Sequence, residues 1–305
     1  MCGRFCCSLT ADDIRNELFE EHVLPQRDTE WIDQDSHRPS FNVCPSRSIP
    51  AVLEKDQTHT KVMQSMQWGF IPSWLKSNPY SKPINARVET LTERKSIFDK
   101  SKNVNRCIIA AEGFFEWNKK KQAFFIKRKD GKMMLFAGLY STASIDGCSV
   151  TTCTIVTSAA SEFFSKIHDR MPVILEPGNV DTWINSKMLW SNDIIKLLTP
   201  FDGELNCFRV TDKVGPVKND SPDLVQPLDQ RKSSISHFLK PALIKDEINK
   251  DLSSHVEKTA ASSSTSSTKV PSTTARQTAK KRKTSVDDDP IATKTPKITS
   301  FFNKK

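Results

Sequence analysis

The chain begins Met1-Cys2-Gly3, and its second residue combines two nucleophiles. Methionine is normally trimmed when the next residue is small, so Cys2 is predicted to become the mature N-terminus. A free α-amine then stands two carbons from a thiol, and both groups titrate close enough to neutral pH to be partly nucleophilic. Such a 1,2-aminothiol condenses with an aldehyde: the amine forms an imine, and the thiol closes a stable thiazolidine ring on the same carbon.

Three later segments supply residue types suited to proton transfer and phosphate binding. The segment PINARVET occupies residues 83–90 and follows the aromatic segment WGFIPSW at 68–74. The segment GFFEW occupies 113–117 at the end of an apolar strand, and IHDRMP occupies 167–172 after a predicted short helix. Each segment contributes one polar side chain that can exchange or orient protons, next to an arginine or to aromatic residues.

Together with MCGRF at residues 1–5, these motifs resemble, in order and spacing, those of the SRAP family (SOS response-associated peptidase), most closely its eukaryotic branch. The resemblance covers residues 2–228, including the closing segment from Val214 to Leu228. Four ordered motifs around an early cysteine form a highly specific combination, although none of them is specific alone. The resemblance implies an active site of four residues: Cys2, Asn85, Glu116 and His168.

The chemistry of these four side chains agrees with the implied substrate, an abasic site in DNA. An abasic sugar is mostly a closed hemiacetal, and an imidazole such as His168 suits the proton transfers that open it. Glu116 suits the acid–base dehydration of a carbinolamine, and Asn85 can orient the amine or the sugar. The implied function is a covalent crosslink that shields the lesion during replication. Self-processing of Met1 and weak AP lyase activity are further implied reactions.

The resemblance implies single-stranded DNA, or a junction of single and double strand, as the partner. Guanidinium groups bind phosphates bidentately, and aromatic faces stack on unpaired bases without reading sequence. We expect one or two of the candidate aromatic side chains to be exposed. The residues predicted to contact DNA are Arg4, Arg87, Arg170, Trp68, Phe70 and Trp74.

Charge is unevenly distributed along the 305 residues. Residues 241–305 hold 13 Lys or Arg against 7 Asp or Glu, so +6 of the formal net charge of +9 lies there and +3 remains for residues 1–240. The globular part is therefore predicted to hold DNA through a few placed arginines and aromatics, not through a broad basic surface.

The 8 cysteines follow no signal peptide and favour reduced thiols over disulfides. Cys6, Cys7 and Cys44 are predicted to be buried thiols, because their spacing lacks a paired zinc-ligand pattern. Neither a metal nor another cofactor is predicted. No apolar run is long enough to span a bilayer, so no membrane partner is expected, and the protein is predicted to be a monomer.

Residues 2–228 are predicted to form one α+β domain with a mainly antiparallel, barrel-like β core and peripheral helices. Strands are predicted over 107–111 and 151–156, and a hairpin is predicted to join 124–126 to 133–136 through Asp130-Gly131. Helices are predicted over three segments: 12–21, 161–167 with Ser158 as N-cap, and from Asp181 onward.

Residues 229–305 are predicted to be a disordered basic tail. Ten of the thirteen residues at 262–274 are Ser or Thr, and Lys280–Lys283 form a basic cluster of the nuclear-import type. Residues 295–302 resemble a sliding-clamp peptide with Ile298, Phe301 and Phe302 as its plug, although Thr295 replaces the usual Gln. A weaker copy lies at 235–239. The predicted location is the nucleus, at replication forks.

Three other functions remain open at this point. Class II glutamine amidotransferases also begin with a mature cysteine next to glycine, but their Arg-Gly-Pro-Asp type segment is missing here. A non-catalytic reader of modified cytosine in DNA is the second alternative. A protease in the strict sense is the third.

Overall fold

The computed structural model describes residues 2–55, 60–93 and 95–228. Within them the strands are β1 (Arg4–Cys7), β2 (Trp31–Ile32), β3 (Ser40–Val43), β4 (Ser48–Lys55), β5 (Thr60–Trp68), β6 (Asn85–Arg87), β7 (Arg106–Ala111), β8 (Gly113–Trp117), β9 (Ala123–Arg128), β10 (Met134–Ile145), β11 (Cys148–Ala159), β12 (Arg170–Pro172), β13 (Ile174–Leu175) and β14 (Leu205–Arg209). The α-helices are α1 (Ala11–Glu20), α2 (Val88–Glu93), α3 (Asp99–Val104), α4 (Pro177–Ile184) and α5 (Asn192–Ile195).

A closed barrel forms the centre of the fold. Strands β11, β10, β7, β4 and β5 follow one another with antiparallel pairing, and a short parallel pairing of β5 with β11 closes the ring. The closing register places Thr152 opposite Gln67 and Cys153 opposite Trp68. Closure leaves no open edge between these two strands. The predicted α+β class with a mainly antiparallel, barrel-like core is confirmed.

A second sheet, in the order β14-β9-β8-β1-β3, packs against the barrel with antiparallel pairing throughout. Side chains along β8 point alternately to the two faces of this sheet. Phe114 lies in the main core cluster and contacts Phe136 of β10 at a ring-centroid distance of 6.1 Å, whereas Phe115 lies in a second cluster. Glu116 shares the face of Phe114 and is therefore directed toward the main core.

Gly113 allows β8 to approach β9. A Cβ atom at this position would lie 2.5 Å from the backbone oxygen of Ile126 and 2.5 Å from the ring of Phe125. We expect Gly113→Ala to destabilise the fold by about 2 kcal/mol, because both neighbours would have to move. Urea unfolding followed by tryptophan fluorescence measures this change. Gly178→Ala is the matched control, since a Cβ there meets no atom within 4 Å; equal stability of the two variants would contradict the explanation.

The strand predictions over 107–111 and 151–156 are confirmed by β7 and β11, but the predicted hairpin is wrong. β9 pairs with β8 and β14, whereas β10 belongs to the barrel. The Asp-Gly hairpin turn lies instead at Asp146-Gly147, which joins β10 to β11 with both residues at positive φ. Such a turn matches the twist of paired strands.

The helix predictions have mixed outcomes. Helix α1 is confirmed within one residue, and the Thr10 hydroxyl caps it by accepting the amide N–H of Asp13 at 3.2 Å. Helix α4 begins four residues before Asp181, at Pro177. The predicted α-helix over 161–167 is wrong, because β11 continues through Ser158 to Ala159 and β12 begins at Arg170. The connection between these antiparallel strands has room only for a 3₁₀ turn, Phe164–Lys166.

Candidate active site

Cys2 lies immediately before β1 and is completely buried. The Asn85 side-chain Nδ2 donates a hydrogen bond to the Cys2 carbonyl oxygen at 3.0 Å. Burial raises the pKa of the Cys2 thiol well above its usual range, and the nearby Glu116 carboxylate raises it further. The structure therefore brings Cys2, Asn85 and Glu116 together, as the sequence motifs implied. It also differs from one expectation, because the thiol is held protonated at neutral pH.

Glu116 reaches this site from β8. β1 pairs with β8 in a register that places Arg4 opposite Phe115, so the residues just before β1 run alongside the end of β8. The Glu116 side chain is 5% exposed, and its Oε1 accepts the amide N–H of Trp117 at 3.2 Å. A carboxyl group next to a buried thiol can take up or return its proton.

Asn85 is held by the barrel through β6. This strand pairs in parallel with β11, with Asn85 opposite Ile155. While its Nδ2 donates to Cys2, its Oδ1 is buried and accepts no hydrogen bond within residues 2–55, 60–93 and 95–228. A buried amide oxygen without a donor is unfavourable in the resting protein. Its position beside Cys2 suits a donor that arrives later, such as an N-terminal ammonium group or a sugar hydroxyl.

His168 follows the 3₁₀ turn over residues 164–166, and its amide N–H donates to the Phe164 carbonyl oxygen at 3.2 Å. The Phe164 ring packs against Phe114 at 5.5 Å, which places this turn over the face of β8 that also carries Glu116. The Nδ1 atom of His168 accepts the amide N–H of Arg170 at 3.0 Å.

The Asp169 carboxylate also lies 2.9 Å from His168 Nδ1, although that contact requires a proton on the same atom. In the neutral ring, Nδ1 accepts the Arg170 amide N–H and does not donate to Asp169, because the Asp169 side chain is 86% exposed and water competes for its carboxylate. Neutral His168 then carries its proton on Nε2.

Arg4 and Arg170, both predicted to bind phosphate, make hydrogen bonds to protein atoms. Arg4 donates to the Asn42 side chain and to the carbonyl oxygens of Val214 and Gly215, each at 2.9 Å. These contacts tie the closing segment to β1, so a structural role replaces the predicted phosphate contact for Arg4. Arg170 forms a bidentate ion pair with Glu89 at 2.6 and 2.9 Å. Arg87 is exposed.

The aromatic predictions divide according to burial. Trp68 and Phe70 are completely buried; the indole N–H of Trp68 donates to the Ile84 carbonyl oxygen, and Phe70 packs on Phe98. Neither residue offers a face to a base, so the structure removes both from the predicted DNA-binding set. Trp74 remains a candidate, since it is 56% exposed.

Sequence reasoning missed a groove beside Asn85 and the carboxylate of Glu89. The groove has a volume of about 470 Å³ and is lined by Lys82, Pro83, Ile84, Asn85, Arg87, Thr90 and Phe98. Glu89 stands within the PINARVET motif, and its two-residue distance from Arg87 was the only available signal. A long-range ion pair to Arg170 leaves no trace in sequence spacing.

The buried-thiol prediction is confirmed for Cys6 and Cys7, whereas Cys44 is half-buried. Across the described ranges, no group of three or more His, Cys, Asp or Glu side chains is arranged to hold a metal ion. The same ranges contain no helix that is long and apolar enough to cross a membrane.

The fold and the site define an α+β protein with a closed central barrel and a cysteine-centred site at the start of the chain. The chain belongs to the SRAP family, SOS response associated peptidase, which matches residues 1–217. It is 36% identical over 233 residues to abasic site processing protein YoqW of Bacillus subtilis, covering 74% of this chain and 99% of that protein.

Similarity extends to a eukaryotic protein and to a solved structure. The chain is 31% identical over 280 residues to abasic site processing protein YMR114C of Saccharomyces cerevisiae, covering 81% of this chain and 74% of that protein. A crystal structure of a protein from Bacteroides thetaiotaomicron superposes with a TM-score of 0.62 at 24% identity, covering 74% of this chain and 99% of that one. This last similarity supports the fold alone.

Proposed function

We propose that this chain acts on abasic sites in single-stranded DNA and bonds covalently to them through the amine and thiol of mature Cys2. The observation that carries the proposal is the convergence of Asn85 and Glu116 on Cys2. Membership of the SRAP family and the names of the relatives YoqW and YMR114C support an abasic site as the substrate. The adduct would shield the lesion.

The order of bond formation follows from the state of the thiol. Because burial and Glu116 raise the pKa of Cys2, thiolate is scarce at neutral pH, and the α-amine adds to the aldehyde first. The carbinolamine loses water to give an imine. The thiol sulfur then bonds to the imine carbon while its proton passes to the nitrogen, with Glu116 as the carrier. The product is a thiazolidine.

In this proposal, His168 transfers protons on the abasic sugar. Its ring opens the hemiacetal by transferring a proton between the ring oxygen and the anomeric hydroxyl. An imine also permits β-elimination of the 3′ phosphate, which gives weak AP lyase activity as a side reaction. The same groups acting in reverse would release the adduct slowly.

The amine exists only after Met1 is removed, and self-processing by Cys2 is part of the proposal. Intact mass spectrometry of freshly purified protein measures the loss of Met1. Persistence of Met1 in a protein that still crosslinks would contradict the amine-based chemistry.

DNA would leave the site through the groove lined by Asn85, Lys82 and Arg87, and the exposed Trp74, which is not part of the groove lining, would offer a stacking surface. We expect Trp74→Ala to weaken binding of abasic single-stranded DNA about tenfold, because one base–aromatic stack contributes about 1–3 kcal/mol. Fluorescence anisotropy in a Cys2→Ala background measures binding without crosslinking. Leu189→Ala is the control, since Leu189 is also a largely exposed apolar side chain, at 64%, and is not among the residues predicted to contact DNA; equal affinities of the two variants would exclude stacking on Trp74.

The direct test of function uses purified protein, single-stranded DNA with one abasic site, and a denaturing gel. A slowly migrating protein–DNA band is expected from the abasic oligonucleotide and not from an intact one. Absence of this band together with release of ammonia from glutamine would support the amidotransferase alternative. Binding that depends on modified cytosine, without any covalent band, would support a reader of DNA.

The proposals for the tail concern residues outside the described ranges. We propose nuclear location at replication forks through residues 280–283, and sliding-clamp binding through residues 295–302. Deleting each segment separately and following the protein by microscopy after replication stress tests both. The predicted monomeric state is tested by light scattering.

A further inference from the structure

Glu89 and Arg170 form an ion pair between the segments that follow Asn85 and His168 in the chain. Arg170 Nη1 donates to Glu89 Oε1 at 2.6 Å, and Nη2 donates to Oε2 at 2.9 Å. The same Nη2 donates to the carbonyl oxygen of Thr157 in β11 at 2.7 Å. The Arg170 side chain is 13% exposed and the Glu89 side chain 46%, so the guanidinium is largely buried while the carboxylate is partly open to water. Bidentate geometry fixes the orientation of both groups as well as their distance.

The pair joins the two segments that carry Asn85 and His168. Glu89 lies in α2, which directly follows β6 with Asn85, while Arg170 begins β12 just after His168. β6 and β12 both pair with β11, and Thr157 is the point where their pairings overlap. The amide N–H of Arg170 is also the donor to His168 Nδ1. Any shift of Arg170 therefore changes the imidazole as well.

Glu89 remains charged in the folded protein. The hydrogen bonds from Arg170 lower its pKa below the usual range, and the charges of Arg170 and Arg87 lower it further. Because the pKa of Glu89 is lower in the folded protein than in the unfolded chain, the ion pair stabilises the fold above the ordinary carboxyl pKa. This stabilisation is lost as the pH falls through the pKa of Glu89 in the folded protein. The pair is therefore intact throughout the neutral range.

We propose that Glu89 is a positioning residue, which holds Arg170 so that its amide N–H keeps the His168 proton on Nε2 and keeps His168 in register with Asn85. The inference rests on the proposed function for its kinetic consequence. Its structural part, the tautomer of His168, is independent of the DNA chemistry.

The test compares Glu89→Gln and Glu89→Asp with a matched control. The control is Glu176→Gln, since Glu176 accepts from Arg128 at 3.1 Å and has nearly the same exposure, 47% against 46% for Glu89. We expect Glu89→Gln to lower the crosslinking rate constant at saturating DNA about tenfold, because small misplacements of reacting groups are costly. Glu89→Asp keeps the charge and should recover part of the rate, and Glu176→Gln should keep the full rate.

Two results would overturn the inference. If Glu89→Gln keeps the full rate at saturation and only lowers the DNA concentration for half-saturation, Glu89 merely masks the charge of the arginines. If Glu176→Gln and Glu89→Gln lose the same thermal stability and slow crosslinking by the same factor, the slowing reflects a general loss of stability and not a role of Glu89 at the site.

The tautomer of His168, read from ¹⁵N–¹H NMR spectra against pH, separates this inference from the proposed function. The wild type should show the Nε2–H form of His168, and Glu89→Gln should show a mixture of the two tautomers. If the wild-type protein forms no crosslink, the proposed function fails while this readout still decides the role of Glu89. An unchanged spectrum in Glu89→Gln overturns that role.

Discussion

Replacing Cys2 by serine is expected to abolish the adduct that survives denaturation, lowering its yield at least about 100-fold, because a hydroxyl closes the ring far less well than a thiol. Because the proposal assigns Met1 removal to Cys2, intact mass spectrometry first selects Cys2→Ser protein that has lost Met1 and carries a free α-amine. The imine can therefore still form, but it hydrolyses on denaturation. Treatment with sodium borohydride should restore a covalent band for Cys2→Ser, because reduction converts the imine to a stable amine. Quantitative denaturing gels with and without borohydride measure both effects.

Cys148→Ser is the control for this experiment, since Cys148 is exposed and begins β11 next to the Asp146-Gly147 turn. An accessible thiol that reacted nonspecifically with aldehydes would make Cys148→Ser lose part of the signal. A full, borohydride-independent band from Cys2→Ser would contradict the thiazolidine. Loss of the band from Cys2→Ser protein that lacks Met1, even with borohydride, would show that the amine does not attack.

Replacing Glu116 by glutamine is expected to slow crosslinking about 100-fold while the fold is retained, because a general acid–base group typically contributes 10²–10⁴-fold. Gln keeps the shape and can still accept the amide N–H of Trp117, but it can no longer receive a proton from the thiol. Since the Cys2 thiol is protonated at neutral pH, ring closure depends on such an acceptor. Single-turnover kinetics on denaturing gels measure the forward rate, and competitor trapping measures release.

The matched control is Glu112→Gln. Glu112 precedes β8, accepts a hydrogen bond from the Ser8 hydroxyl at 3.0 Å and lines a cavity that does not include Cys2. We expect it to alter stability without slowing the chemistry at saturating DNA. Equal forward and reverse rates for Glu116→Gln and wild type would remove Glu116 from the mechanism, whereas equal slowing by Glu112→Gln would indicate a general loss of structure.

The state of Cys2 links these two predictions. A 1,2-aminothiol in solution exposes both nucleophiles, whereas Cys2 is completely buried and belongs to the main core cluster. In the proposed mechanism, the raised pKa of the thiol makes thiolate scarce and leaves the amine as the first nucleophile. The thiol then reacts when an imine and a proton acceptor are already in place. This order favours aldehydes over other electrophiles.

The sequence by itself determined the identity of the candidate catalytic residues and the class of the fold. Cys2, Asn85 and Glu116 stand in short motifs whose order is visible in the chain, and the structure brings them together. Short apolar segments such as residues 107–111 and 151–156 predict buried strands, whichever strands they pair with in the folded protein. The strands depend on local composition and therefore leave a trace in the sequence, whereas the catalytic residues are implied by the resemblance of the ordered motifs to those of the SRAP family.

Only the tertiary structure decided which side chains are available to a ligand. Trp68 and Trp74 lie in one motif, yet barrel closure buries the first and leaves the second exposed. Arg170 meets Glu89 across 81 positions of the chain, and this contact decides how much of its guanidinium remains for phosphate. Local sequence contains no signal for such contacts, because exposure and charge pairing depend on which distant strands the backbone hydrogen bonds bring side by side.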